Sequence, residues 1–272
     1  MLVKLLKFNR SITVICLTLI CFLAWMYVFS GAGMGMRAWE MTNFSLMPHQ
    51  HAGMQMNMPE MRMKSIPWSF QHGLIVTLMW WVMMIGMMLP SASPMVLLYV
   101  LVIQHVQKNT LSEKVVPTAY FVAGYLIIWL LFSLLATLLQ LCLEQQDLLS
   151  MNLISNNRWL SGGLLITAGI YQLSPLKTAC LTFCQTPAQF ITNYMQKGKI
   201  GALKMGLRHG WFCLGCCWSL MLLLFVGGVM NLFWIVVLSI LILIEKIFPN
   251  AHNITLLFNI SFVVWGLIIL IV

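Results

Sequence analysis

Apolar runs recur along the chain, with short polar breaks between most of them. They lie near 11–30, 72–89, 94–106, 116–141, 158–173, 206–230, 231–247 and 254–272. A helix that crosses a bilayer needs about 20 such residues. The run at 94–106 is too short to cross alone and is parted from 72–89 only by "PSASP". The two read as one element broken at Pro90 and Pro94, since proline removes a backbone donor and crowds the preceding turn. A membrane barrel would instead alternate polar and apolar residues over short strands. The pattern therefore predicts an all-α, polytopic helical membrane protein with about seven transmembrane helices, one of them broken at the Pro-Ser-Ala-Ser-Pro stretch. The closest boundary falls in "VGGVMNLFW", where two helices meet through a very short turn.

Three regions follow: an N-terminal transmembrane helix at 1–30, an external loop at 31–70, and a multi-helix membrane domain at 71–272. The first apolar run outlasts the ~7–15 residues of a signal-peptide core. No A-x-A pattern follows it, so it reads as an uncleaved helix. No inverted repeat of the transporter kind is visible.

Composition sharpens this picture. Of 272 residues, 61% are hydrophobic and only 8% charged, against about 25% charged in soluble domains. An ordinary water-soluble protein is excluded. The net charge of +9 would suggest nucleic acid for a soluble protein. Here it fits basic loops on the cytoplasmic side, and no nucleic-acid partner is expected. With the N-terminus in the cytoplasm, eleven Lys and Arg fall inside and four outside. The lipid bilayer is the expected surroundings.

The candidate chemistry is soft. Segment 31–70 carries nine of the 22 methionines, among them Met54, Met56 and Met58, with His49 and His51 beside them. It is too polar and too rich in Gly and Pro to pack as a core. Thioether sulfur suits Cu(I), and imidazole binds copper in either oxidation state. A loop of this kind also serves as a sticky protein-binding surface. Farther on, Met79, Met83 and Met87 repeat at helical spacing along one face, and Met84 and Met88 form a neighbouring line. Packing and ligation both remain open for them. Ser91 and Ser93 are placed to satisfy carbonyls that the two prolines free.

"GLRHGWFCLGCCWSL" raises the sharpest signal. In a helix starting near Gly206, His209, Cys213, Cys216 and Cys217 stand at i, i+4, i+7 and i+8, on one face near the cytoplasmic end. A reducing compartment keeps thiols free, which leaves metal binding or reactivity as their use beyond packing. Arg208 is the nearest cation in sequence to steady a thiolate. One helix cannot close a tetrahedral site, so partners come from elsewhere. Cys180 and Cys184, four apart in "YQLSPLKTACLTFC", are candidates for a linear two-sulfur clamp. Cys16, Cys21 and Cys142 read as packing.

"WWVMMIGMMLPSASPMV", "YQLSPLKTACLTFC" and "GLRHGWFCLGCCWSLMLLLFVGGVMNLFW" together resemble a bacterial family described as predicted metal-binding integral membrane proteins, a domain of unknown function. The resemblance covers roughly residues 70–272. It implies a metal role at the bacterial inner membrane and supplies no reaction. The shared pattern touches Met83, Met84, Met87, Met88, Pro90, Pro94, Tyr171, Gln172, Pro175, Lys177, Cys180, Cys184, His209, Cys213, Cys216 and Cys217.

The leading expectation is a copper carrier. Met and His capture the ion outside, methionines in the broken helix pass Cu(I) inward, and thiols receive it, because thiolate holds Cu(I) more tightly than thioether. The alternatives are a membrane copper chaperone or metalloenzyme assembly factor without net transport, and an integral membrane thiol or copper oxidoreductase. Zinc and silver remain open as metals, and a copper chaperone or cuproenzyme as partner. The oligomeric state is not determined by these patterns. An enzyme is not expected. All six acidic residues fall in loops or at helix ends, and neither a haem-attachment motif nor a phosphate-binding loop occurs.

Overall fold

The long apolar runs become long helices. The computed structural model describes residues 2–32, 38–39, 42, 68–106, 111–149, 153–196, 198–248 and 252–271. In order, the helices are α1 (Leu2–Phe29), α2 (Phe70–Val106), α3 (Leu111–Gln145), α4 (Arg158–Gln172), α5 (Pro175–Gln185), α6 (Pro187–Tyr194), α7 (Gly198–Leu222), α8 (Leu224–Gly227), α9 (Leu232–Ile247) and α10 (His252–Ile271). Among the described residues there is no strand, only an isolated antiparallel bridge between Leu149 and Ser155.

Among the described residues, four segments are long and apolar enough to cross a membrane: Arg10–Phe29, Phe70–Ile103, Val116–Gln145 and Gly198–Gly227. Seven were expected. The shortfall is one of length. At 1.5 Å per residue, α4 and α9 reach only ~22 and ~24 Å, short of a hydrocarbon core of ~30 Å. The apolar part of α10 is likewise short, Leu256–Ile271.

The expected break in α2 is not there. One helix runs from Phe70 to Val106 with Pro90 and Pro94 inside it. A proline at position 94 leaves the Pro90 carbonyl without its helical donor. Ser93 Oγ donates to that carbonyl at 2.7 Å. Two residues before Pro90, the Met88 carbonyl accepts from Ser91 Oγ at 2.8 Å and from Tyr125 Oη at 3.1 Å. The Ser93 hydroxyl thus replaces the bond lost at Pro94.

Short connections follow local chemistry. Ser174 caps α5 by accepting from the Lys177 amide at 3.3 Å, with Pro175 in the first turn where its missing donor costs nothing. Asn231 caps α9 by accepting from the Phe233 amide at 3.1 Å, just after Gly228 with φ +99°. This is the tight turn expected in "VGGVMNLFW".

Helix α2 packs between α1 and α3, α3 runs along α7, α5 lies against α7, and α4 pairs with α10. Glycine sets the closest of these approaches. A methyl at Gly206 would run into the Phe121 carbonyl, and one at Gly124 into the backbone of Leu203 and Leu207. The spacing Ala202, Gly206, Gly210 lets two backbones touch where side-chain burial from water gives no drive. The α3–α7 seam so formed holds the core of the protein and the chemistry described next.

Candidate metal centre

Helix α7 starts at Gly198, two turns before the expected start at Gly206. The cysteines therefore do not crowd its first turns. Cys213 lies ~22 Å along the axis, inside the bundle. His209, Cys213, Cys216 and Cys217 are all buried, the three thiols at 1% exposure each. None faces the outside of the bundle. All eight cysteines are free, so no disulfide competes.

Cys213 is the hub. The side chains of Cys184, Cys216 and Cys217 are its thiol neighbours. Cys216 and Cys217 donate from Sγ to the Cys213 carbonyl, at 3.1 and 2.9 Å. Tyr125 Oη of α3 lies 3.1 Å from Cys213 Sγ. Cys217 Sγ is 3.8 Å from Met88 Sδ of α2. A metal–sulfur bond is ~2.3 Å, so two sulfurs on one ion stand no more than ~4.6 Å apart. The Met88–Cys217 pair is within that span.

Helix α5 brings the other two thiols. Its face Lys177, Cys180, Cys184 turns to α7 and α9. Gly215 leaves room for Cys180: a Cβ there would stand 2.8 Å from Cys180 Sγ. The Tyr171 hydroxyl donates to the Gly215 carbonyl, pinning α4 at the same point. Burial pushes the Cys180 thiol above its ordinary pKa, and neighbouring Cys216 adds to the rise. Hydrogen bonding with Cys213 and Cys216, followed by burial, pushes the Cys184 thiol well above its own. The pair expected to clamp an ion between themselves thus faces α7, with Cys216 a neighbour of both and Cys213 of Cys184.

The methionines of α2 are buried without exception. Met79, Met83, Met84 and Met88 have no exposed surface, and Met87 shows 2%. Met88 is the one among them whose sulfur meets a thiol among the described residues. His209 lies in an aromatic box: its ring stacks on Tyr125 at 5.6 Å and Phe121 at 6.0 Å, with Phe190 edge-on at 5.5 Å. Its buried Nδ1 has no hydrogen-bond partner among the described residues. His49, His51, Met54, Met56 and Met58 lie outside the described residues.

The cation beside the thiols is not Arg208, whose guanidinium lies over the Tyr194 ring at 4.1 Å. It is Lys246 of α9. Its Nζ is 2.9 Å from Cys213 Sγ and 3.0 Å from Ser91 Oγ. The preceding residue, Glu245, forms a buried ion pair with Lys177 at 2.6 Å, and its carbonyl accepts from Gln185 at 2.7 Å. Reading from sequence missed Tyr125, Ser91, Glu245 and Lys246. A signal was present for the last two: an acid and a base closing an apolar helix without a break, in a chain otherwise poor in charge.

Among the described residues, no three His, Cys, Asp or Glu side chains stand as a finished ligand cage. Sulfur pairs are present, and a closed tetrahedral site is not. A family model described as "PpoB2: Copper chaperone" matches residues 77–269. The chain belongs to this PpoB2 copper chaperone family. The match runs from within α2 into α10 and so takes in the whole sulfur cluster, leaving outside it α1 and the Met/His-rich stretch. Neither a curated protein nor a solved structure matches the chain. Membership makes this a copper-handling protein. That agrees with the metal role implied by the resemblance of its motifs.

Proposed function

We propose that the chain is a membrane-embedded copper chaperone. It holds Cu(I) as cargo between sulfurs of α7, α5 and α2 and hands it to a partner, without catalysing a reaction. The observation that carries this reading is the meeting of Cys217 Sγ with Met88 Sδ at 3.8 Å, next to Cys213 and Cys184. Soft sulfur in pairs suits Cu(I), which accepts low coordination, better than zinc, which takes four ligands in structural sites. Silver shares the soft preference. The mix of thiol and thioether favours exchange, because an ion on a weaker thioether can leave for a stronger acceptor thiol.

A second reading is passage of copper through the membrane. The line Met79, Met83, Met87 with Met84 and Met88 supports it, since it follows a helix long enough to cross and ends at the thiols. The Met/His-rich stretch would then serve as the outer capture point.

The test is copper binding by the full chain in detergent or nanodiscs, in competition with a chromophoric Cu(I) chelator. X-ray absorption counts the sulfur neighbours. The wild type should hold Cu(I) on two or three sulfurs, and Cys213→Ser/Cys216→Ser/Cys217→Ser should hold none. Equal binding by both overturns the proposal. Liposome flux separates holding from passage: copper bound without flux supports the chaperone, and Cys-dependent flux supports the carrier.

A further inference from the structure

Glu245 and Lys246 are neighbours in sequence with separate duties. The Glu245 charge is cancelled by Lys177 at 2.6 Å. Lys246 is equally deep, 6% exposed, and makes no ion pair with a carboxylate among the described residues. Its ammonium contacts Ser91 Oγ and Cys213 Sγ. The other ionisable groups facing it are Tyr125, Cys216 and Cys217, with Cys184 and His209 farther off and the adjacent Glu245, whose charge Lys177 already takes up. One positive charge is therefore set against sulfur in an apolar interior. A buried charge without a partner is expensive, so a lysine here needs an anion to face.

With the Cys213 and Cys217 thiolates as its two charged ligands, a singly charged metal ion gives a net charge of minus one by simple addition, and the neutral Met88 thioether leaves that sum unchanged. We infer that Lys246 is the counter-ion for such a complex, matching the bis-thiolate of a monovalent soft cation, Cu(I) or Ag(I), through its contact with the Cys213 sulfur. This rests on the reading of the sulfur cluster as a copper site and names what selects the cargo's charge. Lys246 is a positioning residue: it contacts a ligand atom and leaves the metal to the sulfurs. Ser91 holds the ammonium against Cys213, which gives the serine on the proline-bearing turn of α2 a use beyond its own helix.

Charge can be separated from shape with a third metal. Hg(II) also takes two thiolates, and the sum is then zero. It needs no counter-ion. The experiment uses the full chain in nanodiscs as wild type, Lys246→Arg and Lys246→Met, each titrated with Cu(I), Ag(I) and Hg(II) against competing chelators. Circular dichroism reports helix content alongside. Lys246→Met should weaken Cu(I) and Ag(I) about tenfold to a hundredfold. It should leave Hg(II) little changed, and Lys246→Arg should keep most of the Cu(I) affinity. Equal loss of all three metals marks a structural role and overturns the inference. So does unchanged Cu(I) affinity in Lys246→Met. A wild type that takes up Hg(II) but neither Cu(I) nor Ag(I) overturns the copper reading as well, a result distinct from failure of the lysine alone. Should Lys246→Met not fold, Lys246→Gln carries the same comparison.

Discussion

The α3–α7 and α4–α10 pairs are joined by the same device and put to different use. In both, glycines bring backbones together: Gly124 and Gly206 in the first, Gly162 and Gly266 in the second, where a methyl on either glycine would stand about 3 Å from the other's carbonyl. Around the α4–α10 contact lie aliphatic side chains and the buried Asn259. Around the α3–α7 contact lie Tyr125, His209 and Cys213, with Lys246 and Met88 closing in from α9 and α2. Close approach is a packing solution that membrane helices use widely. What marks one seam as the working part is the sulfur and charge gathered at it.

Substitutions on either seam test this contrast, and their expected effects fall in sequence. The largest belongs to Lys177→Met, which leaves Glu245 buried and unpaired. Loss of one partner of a buried pair costs about 3–5 kcal/mol, and thermal unfolding in detergent should show it. Gly206→Val and Gly266→Val come next, each forcing backbones apart at about 1–3 kcal/mol. They should differ in the second readout. Gly206→Val should lose copper with stability, whereas Gly266→Val should keep Cu(I) stoichiometry in the fraction that remains folded. Copper loss in both would erase the division between the two seams. Met88→Leu keeps the volume and removes the sulfur, so it should cost less than about 1.5 kcal/mol of stability. Cu(I) affinity should still fall, with one fewer sulfur neighbour by X-ray absorption. The smallest effect is expected of Cys142→Ser, exposed and remote from the cluster. Stability should move within about 0.5 kcal/mol and copper binding not at all.

The sequence made one seam far more legible than the other. His209, Cys213, Cys216 and Cys217 could be placed on one face by spacing alone, and burial of that face agrees. Their depth could not, because nothing in "GKIGALKMG" marks where a helix begins except a glycine with φ +83°. The prolines of α2 misled for a physical reason. Proline signals a break unless a hydroxyl is placed to replace the lost bond, and Ser93 is so placed. Glu245 and Lys246 look like the polar end of a membrane helix. Their burial depends on α5 folding back over α9, which no local pattern announces. Tyr125 is one of six tyrosines, and only the close approach of α3 to α7 brings its hydroxyl to a thiol.

Lys177, Cys180 and Cys184 share one face of an eleven-residue helix. That helix is tied to α9 at Glu245, whose carboxylate pairs with Lys177 and whose carbonyl accepts from Gln185. A slip of one residue would turn the helix by about 100°, swinging both sulfurs off α7 at once. The Lys177–Glu245 pair thus acts as an indexing pin, and the accuracy with which two thiols meet the rest depends on where one glutamate sits.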